Sequence, residues 1–301
     1  MSIVSPALNR PLREASPAVV SDPGALREQV RAWRAAGERV ALVPTMGDLH
    51  AGHLALVDAA AENVDRVVVS IFVNPLQFGP GEDYGEYPRT LERDCMRLAE
   101  HGAHAVFAPD EESLYPSGPA QSVRIRFPGL DDILCGAERP GHFTGVATVV
   151  AKLFNIAEPD VAVFGEKDYQ QLLLVRRLAS ELDFAVEVIG VPTVREADGL
   201  AMSSRNSYLE DTERAVAPEL HATLVRVAQR IAAGDRDHER LESQAMSALS
   251  EAGFEPGYVA VRRAADLGPP GSDEAASGLR VLAAARLGRA RLIDNVAVSG
   301  S

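Results

Sequence analysis

Arg39-Val-Ala-Leu-Val-Pro-Thr-Met-Gly-Asp-Leu-His-Ala-Gly-His53 joins a short apolar run to a turn rich in glycine and histidine. The run at residues 39–44 reads as a strand, and helical apolar spacing follows over residues 53–62. The alternation then repeats. Arg66-Val-Val-Val-Ser-Ile-Phe-Val73 is β-branched and almost continuously apolar, the pattern of a strand buried on both faces. A helix over 91–100, a strand over 103–108 and a helix over 144–156 come next. A strand over 160–165, a helix over 169–181 and a strand over 185–191 complete the series. Strands separated by helices imply right-handed crossovers, so the expected fold class is α/β with a Rossmann-like parallel sheet.

The pattern changes after Val191-Pro192. Two amphipathic helices are expected over 218–233 and 237–252, then a strand over 258–263. Strands over 280–285 and 291–298, around Leu287-Gly-Arg289, read as a hairpin. Helices with an antiparallel sheet predict a smaller α+β domain, dividing the chain into 1–192 and 193–301. Residues 78–85 and 267–273 are rich in Gly and Pro and read as loops, the first long enough to act as a mobile lid. No internal repeat is present.

The composition bounds the function. The 301 residues are 46% hydrophobic and 24% charged, the balance of a soluble globular protein. A net charge of −13 argues against DNA or RNA as the main partner. Cys95 and Cys135 form no CxxC and have no histidine at zinc-finger spacing, which fits a reducing, cytoplasmic compartment. The segment Met1-Ser-Ile-Val-Ser-Pro6 lacks a basic region followed by an apolar run, so no signal peptide is expected. No apolar stretch is long enough to span a membrane. Of the 30 basic residues only Lys152 and Lys167 are lysine. Compositional bias alone can favour Arg over Lys. Under such a bias, surviving lysines mark positions where a planar fork does not fit.

The turn after the first strand carries the clearest chemistry. The start of a helix there offers free N–H groups and a positive dipole end, both suited to phosphate. Gly47 and Gly52 allow close backbone approach, and His50 and His53 flank Gly52. Two imidazoles can donate hydrogen bonds to phosphate oxygens, and protonation would add positive charge. A zinc site would want a third close ligand, which the neighbouring sequence lacks. At another strand end, Gly165-Glu-Lys-Asp168 places Lys167 to meet a phosphate as a point charge. A solvated turn is the plainer alternative. Met202-Ser-Ser-Arg205 supplies two hydroxyls and a guanidinium suited to β- and γ-phosphates, although alone it would pass for a helix cap. Gln77 and Gln171, from two different strand ends, offer the donor and acceptor groups that suit a hydroxy acid.

The His-x-Gly-His pattern resembles that of the nucleotidylyltransferase superfamily, related to class I aminoacyl-tRNA synthetases. The wider Pro44-Thr-Met-Gly-Asp-Leu-His-Ala-Gly-His53 resembles the pantothenate synthetase family. Ile71-Phe-Val-Asn-Pro-Leu-Gln-Phe78, Phe164-Gly-Glu-Lys-Asp-Tyr-Gln-Gln171 and Ala201-Met-Ser-Ser-Arg-Asn206 resemble further motifs of that family, in the same order. Ala51 departs from the acidic residue usual at its position.

The resemblance implies condensation of pantoate with β-alanine through a pantoyl-adenylate, using ATP and Mg²⁺. It implies ATP contacts at Met46, Gly47, Asp48, Leu49, His50, Ala51, Gly52 and His53. Others fall at Gly165, Glu166, Lys167, Asp168, Val194, Met202, Ser203, Ser204 and Arg205. His50, His53, Lys167 and Arg205 take the catalytic roles. Gln77 and Gln171 bind pantoate, with Asn74, Arg139, His142 and Lys152 completing the site. Asp94 is a candidate to help place the metal, against the plainer reading of an exposed helix carboxylate. A homodimer is also implied. Three rivals stay open: a nucleotidylyltransferase acting on a phosphorylated substrate, a non-catalytic nucleotide-binding protein, and a dinucleotide oxidoreductase. The last is disfavoured because no GxGxxG follows the first strand.

Overall fold

The computed structural model describes residues 16–271 and 274–299. The signal-peptide reading of residues 1–6 lies outside them, as do residues 272 and 273 of the second loop. The first sheet contains β1 (Ala18–Val20), β2 (Val40–Thr45), β3 (Arg66–Ile71), β4 (Ala105–Phe107), β5 (Val161–Gly165) and β6 (Glu187–Val191). All its pairings are parallel, in the order β1-β4-β3-β2-β5-β6. The helices of this part are α1 (Pro23–Ala35), α2 (Ala51–Asn63), α3 (Leu91–Glu100), α4 (Glu111–Leu114), α5 (Cys135–Glu138), α6 (His142–Ala157) and α7 (Tyr169–Glu181).

Strand alternation divides the apolar residues between two layers. Val40, Leu42 and Val68 join a core with α1, α6 and α7. Ala41, Val43, Val67 and Val69 join a second core with α2 and α3. The near-continuous apolar strands are therefore covered on both faces, as the expected parallel sheet requires.

The second part contains α8 (Asp211–Val216), α9 (Glu219–Ala232), α10 (His238–Glu251), β7 (Glu255–Arg263), β8 (Leu279–Leu287) and β9 (Ala290–Ala297). The three strands form an antiparallel sheet in the order β7-β8-β9. Val281, Ala283 and Ala285 face a core shared with α9 and α10. Leu282 and Ile293, from the opposite face, pack into the core beneath the first sheet. The small sheet is thus clasped between its own helices and the first sheet's layers.

Candidate active site

The order β4-β3-β2-β5-β6 turns back between β2 and β5. A crevice forms outside the carboxyl ends of strands at such a point. A cavity of about 510 Å³ opens there. Its wall takes Met46, His50, Gly52 and His53 from the turn after β2, and Asn74 and Gln77 from the turn after β3. Gly165, Lys167, Asp168 and Gln171 follow β5, and Thr193 and Val194 follow β6. Met202, Ser203, Ser204 and Arg205 close another side.

The two histidines cap their own helix. His50 is the N-cap of α2, and its Nδ1 accepts from Gly52 N–H at 3.1 Å. His53 Nδ1 accepts from His50 N–H at 3.3 Å, and the ring centroids lie 4.0 Å apart. A Cβ at residue 52 would fall 2.8 Å from the His50 ring, so only glycine fits this cap. With both Nδ1 lone pairs engaged, the hydrogen-bond network assigns the neutral tautomers with protons on Nε2. Burial lowers the His50 pKa to about 4, aided by the Lys167 charge. Burial, then His50 and Lys167, lowers His53 to about 3. In this cavity both rings are therefore neutral N–H donors at neutral pH.

Across the cavity, Asn74 is buried and anchors the turn after β3. It accepts from Tyr115 Oη at 2.8 Å and donates to Gln77 Oε1 and to the Gly145 carbonyl, each at 3.1 Å. Helix α6 comes this near because residue 145 is glycine, where a Cβ would lie 2.2 Å from the Leu76 carbonyl oxygen. His142 Nδ1 lies 2.8 Å from the Gln77 carbonyl oxygen. Burial, then Arg139, lowers the His142 pKa to about 4. Arg139 donates to both oxygens of Glu82, at 2.7 and 2.6 Å.

Several expected residues stand elsewhere. Asp94 is neither exposed nor on the cavity wall. It is fully buried, accepting from the N–H groups of Asp48 and Leu49 and from Thr90 Oγ1, each at 3.0 Å. Its oxygens hold the turn after β2 in shape, which corrects its assignment to a metal. Lys152 lies 5.6 Å from the Tyr115 ring centroid and is absent from the wall. Gly47, Asp48, Leu49, Ala51 and Glu166 also lie off the wall. Leu49 is buried in the core, Asp48 pairs with Arg93, and Ala51 is exposed, in keeping with its departure from the usual acidic residue. Sequence reading misses Arg286, Arg289 and Arg291, which the β8–β9 hairpin brings to the wall from a distant part of the chain.

This arrangement defines an α/β protein with its ligand site at a topological switch point, where a helix N-terminus and a lysine can receive phosphate. The chain belongs to the pantoate-β-alanine ligase family, whose sequence profile matches residues 18–297. Pantothenate synthetase of Halorhodospira halophila is 58% identical over 278 residues, covering 92% of this chain and 97% of its own. That of Alkalilimnicola ehrlichii is 57% identical, covering 90% and 94%. The crystal structure of Thermus thermophilus pantothenate synthetase superposes with a TM-score of 0.85 at 48% identity, covering 93% of this chain and 99% of that one. Francisella tularensis pantoate-β-alanine ligase, solved with β-γ ATP and β-alanine, gives a TM-score of 0.78 at 31% identity, covering 95% and 99%.

Proposed function

We propose that this chain is an ATP-dependent ligase that activates pantoate as pantoyl-adenylate and transfers the acyl group to β-alanine. The observation that carries this reading is that His50, His53, Lys167 and Arg205 line the same cavity as Gln77 and Gln171. Family membership supports the reaction, and the Francisella relative gives precedent for both ATP and β-alanine.

In the first step a pantoate carboxylate oxygen attacks the α-phosphorus of ATP. The bond from that phosphorus to the bridging oxygen breaks, and pyrophosphate leaves. The neutral imidazoles of His50 and His53 donate from Nε2 to phosphate oxygens, while Lys167 and Arg205 supply positive charge. The negative charge of a triphosphate acts to raise both imidazole pKa values. In the second step the β-alanine amine attacks the acyl carbon. The carbon–oxygen bond to AMP breaks, and the amine proton passes to solvent. Gln77 and Gln171 hold the pantoate hydroxyls through both steps. Of the remaining ATP contacts named from the family motifs, Met46, Gly52, Gly165, Asp168, Val194, Met202, Ser203 and Ser204 stand on the cavity wall. Holding both reactants in one cavity supplies much of the rate.

Mg²⁺ would neutralise charge on the phosphates. Among the described residues no group of three or more His, Cys, Asp or Glu is arranged to hold a metal. Asp168, a wall carboxylate paired with Lys167 rather than with arginine, fits the usual mode of a cation carried on phosphates with one or two protein carboxylates.

We also propose the domain division at 1–192 and 193–301, a homodimer and a cytoplasmic location. The change from a parallel to an antiparallel sheet supports the division. The free thiols of Cys95 and Cys135 suit a reducing compartment, and no helix among the described residues is long and apolar enough to cross a membrane. Light scattering on the purified chain tests the dimer. The reaction is tested by pyrophosphate release with ATP, pantoate and β-alanine, omitting each in turn. Release with ATP and pantoate alone, and AMP turnover only with β-alanine, is expected. Release that required a phosphate ester instead of pantoate would favour a simple nucleotidylyltransferase.

A further inference from the structure

Lys167 and Arg205 reach the cavity from different parts of the fold, and one strand of the second sheet touches the supports of both. Asn295 on β9 is 3% exposed, and its Nδ2 donates to the carbonyls of Glu166 and Lys167, each at 2.9 Å. Its Oδ1 accepts from Arg280, whose guanidinium lies 3.7 Å from the Tyr169 ring centroid and pairs with Glu166 at 3.1 Å. The single turn carrying Lys167 is therefore gripped at its backbone, its acidic side chain and the aromatic residue that follows.

The preceding residue does the equivalent on the other side. Asp294, also 3% exposed, accepts from both terminal nitrogens of Arg195 at 2.6 and 2.9 Å. Arg195 further donates to the Gly199 carbonyl at 3.1 Å. It stands at a bridge to Ala201, and Met202 N–H donates to the Val194 carbonyl at 3.0 Å. These contacts shape the segment that delivers Ser203, Ser204 and Arg205. Adjacent strand residues point to opposite faces, so Asp294 and Asn295 grip two elements on opposite sides of β9.

We infer that Asp294 and Asn295 are positioning residues for adenylate formation, setting Lys167 and the 203–205 segment at a fixed separation across the phosphates. The inference rests on the reading of Lys167 and Arg205 given above. Buried polar side chains of this kind leave costly unpaired groups when their partners are lost, which is why such a pair specifies geometry.

The test separates the two half-reactions. N295D keeps the size of the side chain and an acceptor for Arg280 while removing both donors to the carbonyls. It is expected to melt below the wild type because two buried carbonyls lose their donor and, under conditions where it is folded, to release pyrophosphate from ATP and pantoate at least tenfold more slowly in a single turnover. Aminolysis of accumulated adenylate by added β-alanine should stay within twofold. R195K keeps a charge for Asp294 while losing the fork, and the same split is expected. It carries the test by itself if N295D does not fold. R280K leaves the Asn295–Lys167 contacts in place and should lower the melting temperature more than the adenylation rate. Pyrophosphate release within twofold of wild type in the folded variants overturns the inference, as does equal slowing of both half-reactions. Failure of the wild-type chain to release pyrophosphate with ATP and pantoate would instead overturn the functional reading itself.

Discussion

Arg205 donates to Asp83 through two parallel hydrogen bonds, Nε to Oδ2 at 3.1 Å and a terminal nitrogen to Oδ1 at 2.9 Å. The pairing uses the same fork that the proposed function assigns to phosphate. Burial acts to raise the Asp83 carboxyl, but the hydrogen bonds and charge of Arg205, together with hydrogen bonds from the backbone and Tyr208, hold its pKa below the ordinary value. Glu82 and Glu86 also pair with arginines, Arg139 at 2.6 Å and Arg289 at 2.7 Å. Three acids of one short segment thus tie down arginines from three different elements. The loop expected from sequence as a mobile lid is fastened across the cavity.

On the role proposed for Arg205, ATP takes it from Asp83 as the phosphates are seated. D83N should therefore tighten ATP binding by roughly fivefold, about 1 kcal/mol, the scale of a partly exposed pair. Calorimetric titration of ATP into both proteins measures this. Weaker binding in D83N would mean that the carboxylate serves the liganded state.

Removing His53 should slow pyrophosphate release by about 10² or more, the scale of a lost transition-state donor. H53A also removes the acceptor that caps His50 N–H. H53N restores an acceptor of similar reach while its amide N–H groups fall short of the Nε2 position, and it should remain as slow as H53A. Recovery in H53N would assign the defect to the cap.

K167R retains charge but puts a broad fork where a compact ammonium projects from a gripped turn. A loss of at least tenfold in single-turnover adenylation, with little change in melting temperature, is the expected result. Wild-type kinetics would remove the significance attached to the scarcity of lysine.

Proton linkage follows from the two histidines. Their pKa values in the folded chain, about 4 and about 3, lie below the ordinary value of 6.5. Between these limits the unfolded chain binds protons that the native site refuses. The stability contribution is complete above about pH 6.5 and is lost as pH falls towards the folded values. Urea midpoints should drop less between pH 7 and pH 4.5 in H50N than in wild type, and equal drops would contradict the linkage. ATP raises the same pKa values, so its binding at pH 6 should take up protons. Calorimetry in two buffers of different ionisation enthalpy detects that uptake.

Much of this fold is legible in one sequence because its signals are periodic. The helices Leu91–Glu100 and Tyr169–Glu181 carry clear apolar stripes, and β3 is almost wholly β-branched. Helix α1 goes unread above although its signals are local: Leu26, Val30 and Trp33 recur at helical spacing, and Asp22 and Pro23 supply an N-cap and an N1 proline. The three residues of β1 are too short to carry any pattern. The phosphate-facing motifs are local, so their residues are read together. Asp94 shows the limit, since nothing near it in sequence says that two backbone N–H groups from 45 and 46 residues away will bury its charge. Asn295 is harder still, because its partners lie 128 and 129 residues distant. The histidine pKa values depend on the closed environment and are invisible to spacing.

The grip of β9 on the Lys167 turn bears on how the enzyme is made. Translation delivers residues 166–168 well before residue 295, so for a time two carbonyls of that turn lack their eventual amide partner. A nascent chain that has completed only its parallel sheet holds the lysine on an unfinished support. The hydrogen bonding of the Lys167 turn is therefore completed only when the last hairpin closes.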